Sequence, residues 1–140
     1  MNLVLGDVAA AAVLLRVADV ATSVTWYREH LELEPVHVGA DEAGGVSHPY
    51  AGYQVAGTTI GLWQLPPGQQ RTSRDADRTT YVVLLTAADP GEMRVELRSR
   101  GVVVDELRES AEATFFWFYD PDGNRWEVSR MRQPGRPTPT

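Results

Sequence analysis

Glu127 lies between Trp126 and Val128 in the run 125–131, Arg-Trp-Glu-Val-Ser-Arg-Met. Strand side chains alternate faces, so if Trp126 and Val128 turn toward a core, Arg125, Glu127 and Ser129 share the opposite face. A carboxylate there has two readings. Hydrogen-bonded or paired with a cation, it is structural. Desolvated, its pKa rises and it can act as a general acid or base near neutral pH. The three histidines, His30, His37 and His48, are seven and eleven residues apart, which matches no compact metal-binding motif, and they read as surface or loop residues. There is no cysteine, which removes disulfides, thiolate metal sites and a cysteine nucleophile together. No phosphate-binding loop, dinucleotide fingerprint or zinc spacing is present. The chemistry left to this chain is that of carboxylates, phenols, guanidinium groups and aromatic faces.

Those groups must be held by elements the sequence marks out in two similar rounds. In the first, the apolar run 13–17 ends at Asp19, which can cap a following helix over 21–31 with Val20, Val24, Tyr27 and Leu31 at helical spacing. Pro35 stops that helix, and three strand-like segments follow at 35–38, 50–56 and 58–65, the last two joined by Ala56-Gly57. Gly44-Gly45 lies in what reads as a polar loop between them. The second round opens with the apolar run 81–85. Asp89-Pro90-Gly91-Glu92 then supplies an N-cap, a proline at the first helical position and a capping-box glutamate, and Arg100-Gly101 marks the helix end. Strands are expected at 102–107, 113–119 and 125–131. Each half therefore reads β-α-β-β-β, the modules spanning about 12–65 and 79–131, with a linker over 66–78 and a loose proline-bearing tail over 132–140.

The chain has 140 residues, 43% of them hydrophobic and 23% charged, a balance that suits one ordinary globular domain, here 1–131. The segment 1–15 is apolar but has no basic start and is interrupted by Asp7, so it is not expected to be a signal peptide. No run is long enough to span a bilayer. A cytoplasmic protein with no membrane partner is expected. All 13 basic residues are arginine, a bias that codon usage in a GC-rich bacterial genome produces by itself. The net charge of −6 argues against nucleic acid, whose phosphates need a basic surface, and mildly favours neutral or cationic ligands.

Two β-α-β-β-β rounds, the entry Val17-Ala18-Asp19 into a helix carrying Trp26-Tyr27, and the turn Asp120-Pro121-Asp122-Gly123-Asn124 followed by Trp126-Glu127-Val128 together resemble the vicinal oxygen chelate superfamily. That group holds glyoxalase I, extradiol dioxygenases, fosfomycin-modifying enzymes and bleomycin-binding proteins, and the resemblance covers about residues 12–131. It implies an α+β fold in which two βαβββ modules form facing curved mixed sheets around a cavity, commonly in a homodimer. In the metal-dependent members one ligand comes from the first strand of each half and one from a later strand. Those positions fall here at Ala12 or Val13, near Gly61 or Trp63, at Tyr81 and at Glu127. Only Glu127 is a suitable donor, and such sites need three or more protein ligands. The resemblance thus points to the metal-free branch, with no cofactor.

On the same basis, strand alternation puts Val13, Leu15, Val17, Ile60, Leu62, Phe116, Phe118, Trp126 and Val128 toward the helices, with Trp26 also in the core. The cavity side receives Leu14, Arg16, Thr59, Gly61, Trp63, Tyr81, Phe115, Trp117, Tyr119, Arg125, Glu127 and Ser129. The expected ligand-binding set is Arg16, Trp63, Tyr81, Phe115, Trp117, Tyr119 and Glu127, although any one of these aromatics also suits barrel filling or a dimer interface. The leading expectation is a metal-independent small-molecule binding protein of the bleomycin-resistance type, taking an aromatic or cationic ligand in an aromatic cavity. The alternative is a metal-independent isomerase, lyase or cyclase in which Glu127 and Tyr81 exchange protons and Arg16 steadies an anionic intermediate. A metal-dependent glyoxalase or dioxygenase ranks third.

Overall fold

Asp19 and Asp89 each start a helix by the same device. The Asp19 carboxylate accepts a hydrogen bond from the Thr22 N–H at 3.2 Å, and that of Asp89 accepts from the Gly91 N–H at 2.9 Å with Pro90 in the first turn, so donors left open at the helix starts are satisfied. In the computed structural model, which describes residues 4–66 and 81–132, the first half runs β1 (Ala12–Val17), α1 (Val20–Leu31), β2 (His37–Ala43), β3 (Val46–Val55) and β4 (Thr58–Gln64). The second runs β5 (Tyr81–Leu85), α2 (Pro90–Ser99), β6 (Val103–Val104), β7 (Arg108–Glu109), β8 (Ala113–Tyr119) and β9 (Arg125–Met131). A short 3-10 turn, Val4–Asp7, precedes β1. The expected linker, apart from Pro66, and the tail beyond Arg132 lie outside the described residues.

Each half builds one mixed sheet. The strand order is β1-β4-β3-β2 in the first and β5-β9-β8-β6 in the second, with β7 also on β8. In both, the first strand lies parallel to the last and the others are antiparallel. This is the α+β architecture of two βαβββ modules that the sequence led us to expect.

Three local expectations are corrected. Gly44-Gly45 is not a loop but the two-residue turn of a β2–β3 hairpin, with φ of 63° and 76°. Two successive left-handed residues fit the right-handed twist of a hairpin, and glycine adopts them without a Cβ clash. Strands β2 and β3 therefore reach to the turn and are longer than 35–38 and 50–56. Next, the strand expected at 102–107 is broken into β6 and β7. Between them the Asp105 N–H still donates to the Trp117 carbonyl of β8 at 2.8 Å, while its own carbonyl accepts from Arg94 Nε of α2 at 2.6 Å rather than from the sheet. Finally, α1 ends at Leu31 as expected, but its stop is the cap Glu32, left-handed at φ 55° with its N–H returned to Arg28 and Tyr27 carbonyls, and not Pro35.

The helix-covered faces of the two sheets share one core. Leu15, Val17, Ala51, Tyr53, Ile60 and Leu62 of the first sheet join Val82, Phe116, Phe118, Trp126 and Val128 of the second. Tyr27 of α1 bridges them, its ring 5.6 Å from Tyr53 and 5.8 Å from Trp126. Trp26 is half-buried against this core, stacked on His30. The 120–124 turn then bolts the halves together. Asp120 accepts from the Tyr27 hydroxyl at 2.7 Å and the Asn124 amide at 2.9 Å, while Asn124 also donates to the Arg16 carbonyl at 2.9 Å and Asp122 accepts from the Ala18 N–H at 2.8 Å. Burial of Asp120 raises its pKa above the ordinary carboxylate range, opposed by the donated hydrogen bonds from Tyr27 and Asn124. The same burial, with the neighbouring Asp120 charge, pushes the Tyr27 phenol well up, so it stays a neutral donor. No helix among the described residues is long and apolar enough to cross a membrane.

Candidate functional site

With the helix side of each sheet filled, the other face of each strand carries the chemistry. On the second sheet, strand register sets three rows: Tyr81, Arg125 and Tyr119; then Val83, Glu127 and Trp117; then Leu85, Ser129 and Phe115. Five of the seven expected ligand-binding residues, Tyr81, Phe115, Trp117, Tyr119 and Glu127, therefore lie on one face. Trp117 is held on three sides. Its indole N–H donates to Glu127 Oε1 at 2.8 Å, and the guanidinium carbons of Arg125 and Arg108 stand 4.3 and 4.9 Å from its ring. Arg125 also lies 4.1 Å from the Tyr81 ring. The Tyr119 hydroxyl donates to Asp105 at 2.8 Å, and Phe115 sits 6.1 Å from Trp117.

The other two expected residues, Arg16 and Trp63, are cross-strand neighbours on the first sheet. Trp63 stacks between His48, 5.1 Å away, and Tyr50, 6.5 Å away, and Tyr50 hydrogen-bonds His37 Nε2 at 2.6 Å. Tyr50 can lie there because its cross-strand partner is Gly39, where a Cβ would come within 3.0 Å of the phenol oxygen. His37, His48 and Tyr50 were not expected in the site. The signal that would have found them was the Gly-Gly hairpin, which turns the presumed loop into two strands and brings those side chains beside Trp63. Arg125 lies on the cavity face as strand alternation implies but was not counted in the binding set, and Arg108 was not expected there.

Both faces are open in the single chain. Leu14 on the first sheet is 56% exposed, and Tyr81, Val83 and Leu85 on the second are 43%, 43% and 69% exposed. A cavity of about 440 Å³ lies instead on the helix side, between the end of α1 and α2, over Phe118, Trp126 and Val128. None of the seven expected residues lines it. Among the described residues no side-chain hydrogen bond or ion pair joins Arg16, Tyr81 and Glu127 to one another.

The four positions at which the resemblance implies metal ligands carry few donors for a divalent ion. Ala12 and Gly61 have no donor, Trp63 is stacked, and Tyr81 lies against the Arg125 cation. Glu127, the one carboxylate, already accepts from Trp117. Among the described residues no three His, Cys, Asp or Glu side chains gather to hold an ion.

Comparison with known proteins bears on this arrangement. A family model described as the glyoxalase/bleomycin resistance protein/dioxygenase superfamily matches residues 9–128. A glyoxylase/bleomycin resistance protein/dioxygenase domain from Frankia sp. EAN1pec superposes with a TM-score of 0.70 at 19% identity, covering 88% of this chain and 97% of that one. The genomically encoded fosfomycin resistance protein FosX from Listeria monocytogenes gives 0.62 at 16% identity, over 86% and 90%. A protein from the mobile metagenome of V. Pseudocholerae gives 0.61 at 25% identity, over 91% and 98%. No curated protein sequence matches the chain. Two βαβββ modules, the 120–124 turn that joins them and a family match over most of the length lead to one conclusion: the chain belongs to the glyoxalase/bleomycin resistance protein/dioxygenase superfamily.

Proposed function

We propose that this protein is a metal-independent small-molecule binding protein of the glyoxalase/bleomycin-resistance type, a cytoplasmic homodimer that holds its ligand on the open aromatic faces of its sheets. The observation that carries this reading is Trp117, fixed by Glu127 and flanked by Arg125 and Arg108. A ring already immobilised by its neighbours loses little further freedom on binding. It offers flat apolar surface beside a few orienting polar groups, the composition of ligand sites in general. Of the aromatic and cationic classes, the aromatic one is favoured, because the guanidinium charges of Arg125 and Arg108 beside Trp117 and Tyr81 repel a cationic ligand. Metal independence is supported by the poor donor set at the family's ligand positions. The acid–base alternative needs Arg16 beside Tyr81 and Glu127, and gains no support from their contacts.

Titration of the purified chain with flat aromatic natural products, followed by tryptophan fluorescence, tests the proposal. Saturable quenching is expected, unchanged by prior dialysis against a chelator and weakened about tenfold by Trp117→Ala, the scale of one lost ring–ring contact. Uniform failure to quench would remove the binding reading, and stoichiometric chelator-sensitive metal would overturn the metal-free one.

A further inference from the structure

Arg125 is the most deeply placed charged side chain on the open face of the second sheet. It is only 7% exposed, yet its Nε is buried without a hydrogen-bond partner. No carboxylate among the described residues lies within ion-pair distance of it. Glu127, two residues along on the same face, is engaged by Trp117, and Asp105 receives the Tyr119 hydroxyl. What surrounds the guanidinium is aromatic: the Tyr81 ring at 4.1 Å and the Trp117 ring at 4.3 Å. Arg108, which also stands over Trp117, is exposed to solvent. Arg125 is not.

A buried cation without a paired anion is costly, and cation–π contacts offset part of that cost while using none of the five N–H donors of the guanidinium. Those donors form a planar fork that matches a carboxylate in a bidentate pair. Here they stand beside two aromatic rings on a face open to ligand, in a chain whose net charge of −6 provides acidic groups in plenty, none of those described being placed on Arg125.

We propose that Arg125 is the anion-binding group of this face and that the ligand is an aromatic carboxylate, its ring against the exposed side of Tyr81 and its carboxylate on the Arg125 fork. This rests on the aromatic-ligand reading above and makes it specific in charge. It reverses the preference for cations that the overall charge suggests, because a short-range pair with a desolvated guanidinium outweighs the screened field of distant surface charges.

Three probes of one shape and different charge test it on the intact chain: 1-naphthoate, neutral 1-naphthamide and 1-naphthylmethylammonium, each titrated by tryptophan fluorescence. Naphthoate is expected to bind at least tenfold tighter than naphthamide, with the ammonium weakest. In Arg125→Met the naphthoate affinity falls at least tenfold while naphthamide stays within twofold, and Arg125→Lys recovers part of the loss. The probe comparison on the unaltered chain stands even if a variant fails to fold. Equal or tighter binding of the amide or the ammonium overturns the carboxylate assignment and leaves the aromatic reading intact, whereas failure of all three probes overturns both. A third result would be an Arg125→Met chain that changes oligomeric state with unaltered naphthoate affinity. That would assign the guanidinium to a carboxylate of a second copy and overturn the proposal.

Discussion

Tyr53 and Tyr27 pack ring against ring in the same core, yet only one has its hydroxyl satisfied. Tyr27 donates to Asp120 and accepts from the Trp126 indole, whereas the buried Tyr53 hydroxyl has no partner, and burial pushes its pKa up to about 12. A buried polar atom without a partner costs about 1–3 kcal/mol. Tyr53→Phe should therefore raise unfolding stability by about 1 kcal/mol in a denaturant titration, and a loss of stability would mean that the hydroxyl is satisfied in solution. Asp120 is the opposite case. Its folded pKa lies above its unfolded value because burial penalises the charged form, so the folded state holds the proton more tightly. Its contribution is fully present below the unfolded carboxylate range and is lost as pH rises through the raised folded value. The difference in stability between the native chain and Asp120→Asn should consequently shrink or reverse as pH rises through that window, measured as unfolding free energy against pH. A difference independent of pH would count against a raised pKa. At this scale the sequence showed which face Glu127 and the aromatics take, since alternation along a strand is local. It did not show that Arg125 is desolvated, which depends on β5 and β8 flanking β9, a lateral order that no local pattern encodes.

Among the elements, the β2–β3 hairpin is where the sequence was misread, and the reason is physical. Its residues 39–49 include Asp41, Glu42, Ser47 and Pro49 and lack apolar alternation, because this end of the first sheet is solvent-exposed and nothing requires a buried face. The helices, by contrast, were legible from their caps, and the core strands from Leu15, Ile60, Phe116 and Trp126, because a buried face enforces its own period. The hairpin depends on its turn. Ala at position 45 must adopt φ near 76°, which costs a residue with a Cβ about 1 kcal/mol or more. Gly45→Ala should lower stability by about that amount. Gly6→Ala, where a Cβ meets nothing within 4 Å and φ is not left-handed, should be near neutral in the same assay. Equal effects at the two positions would mean the left-handed turn is not populated in solution.

For the whole molecule, the two open faces have a shared property: each ends in an edge strand. β1 closes one side of the first sheet and β5 one side of the second, each paired on one side only among the described residues. These are the strands that expose Leu14, Tyr81, Val83 and Leu85. An edge strand with apolar side chains in water is an invitation to pairing, and a contiguous apolar patch of this kind marks an interaction surface. A two-fold axis that sets β1 of one copy beside β5 of another satisfies both edges at once, since an isologous contact is made twice. The homodimer proposed above would then also bring Arg16 and Trp63 of one chain toward the Tyr81–Arg125–Trp117 face of its partner, uniting a set of residues that one chain keeps on two sheets. Val83→Glu places a charge in the middle of the β5 edge without touching the helix-side core. It should convert a two-chain particle to a single chain in sedimentation at micromolar concentration, and aromatic ligand affinity should fall with it. If Val83→Glu leaves the particle mass unchanged, the β5 edge is not the contact. If it separates the chains and leaves ligand affinity unchanged, one sheet face alone forms the site.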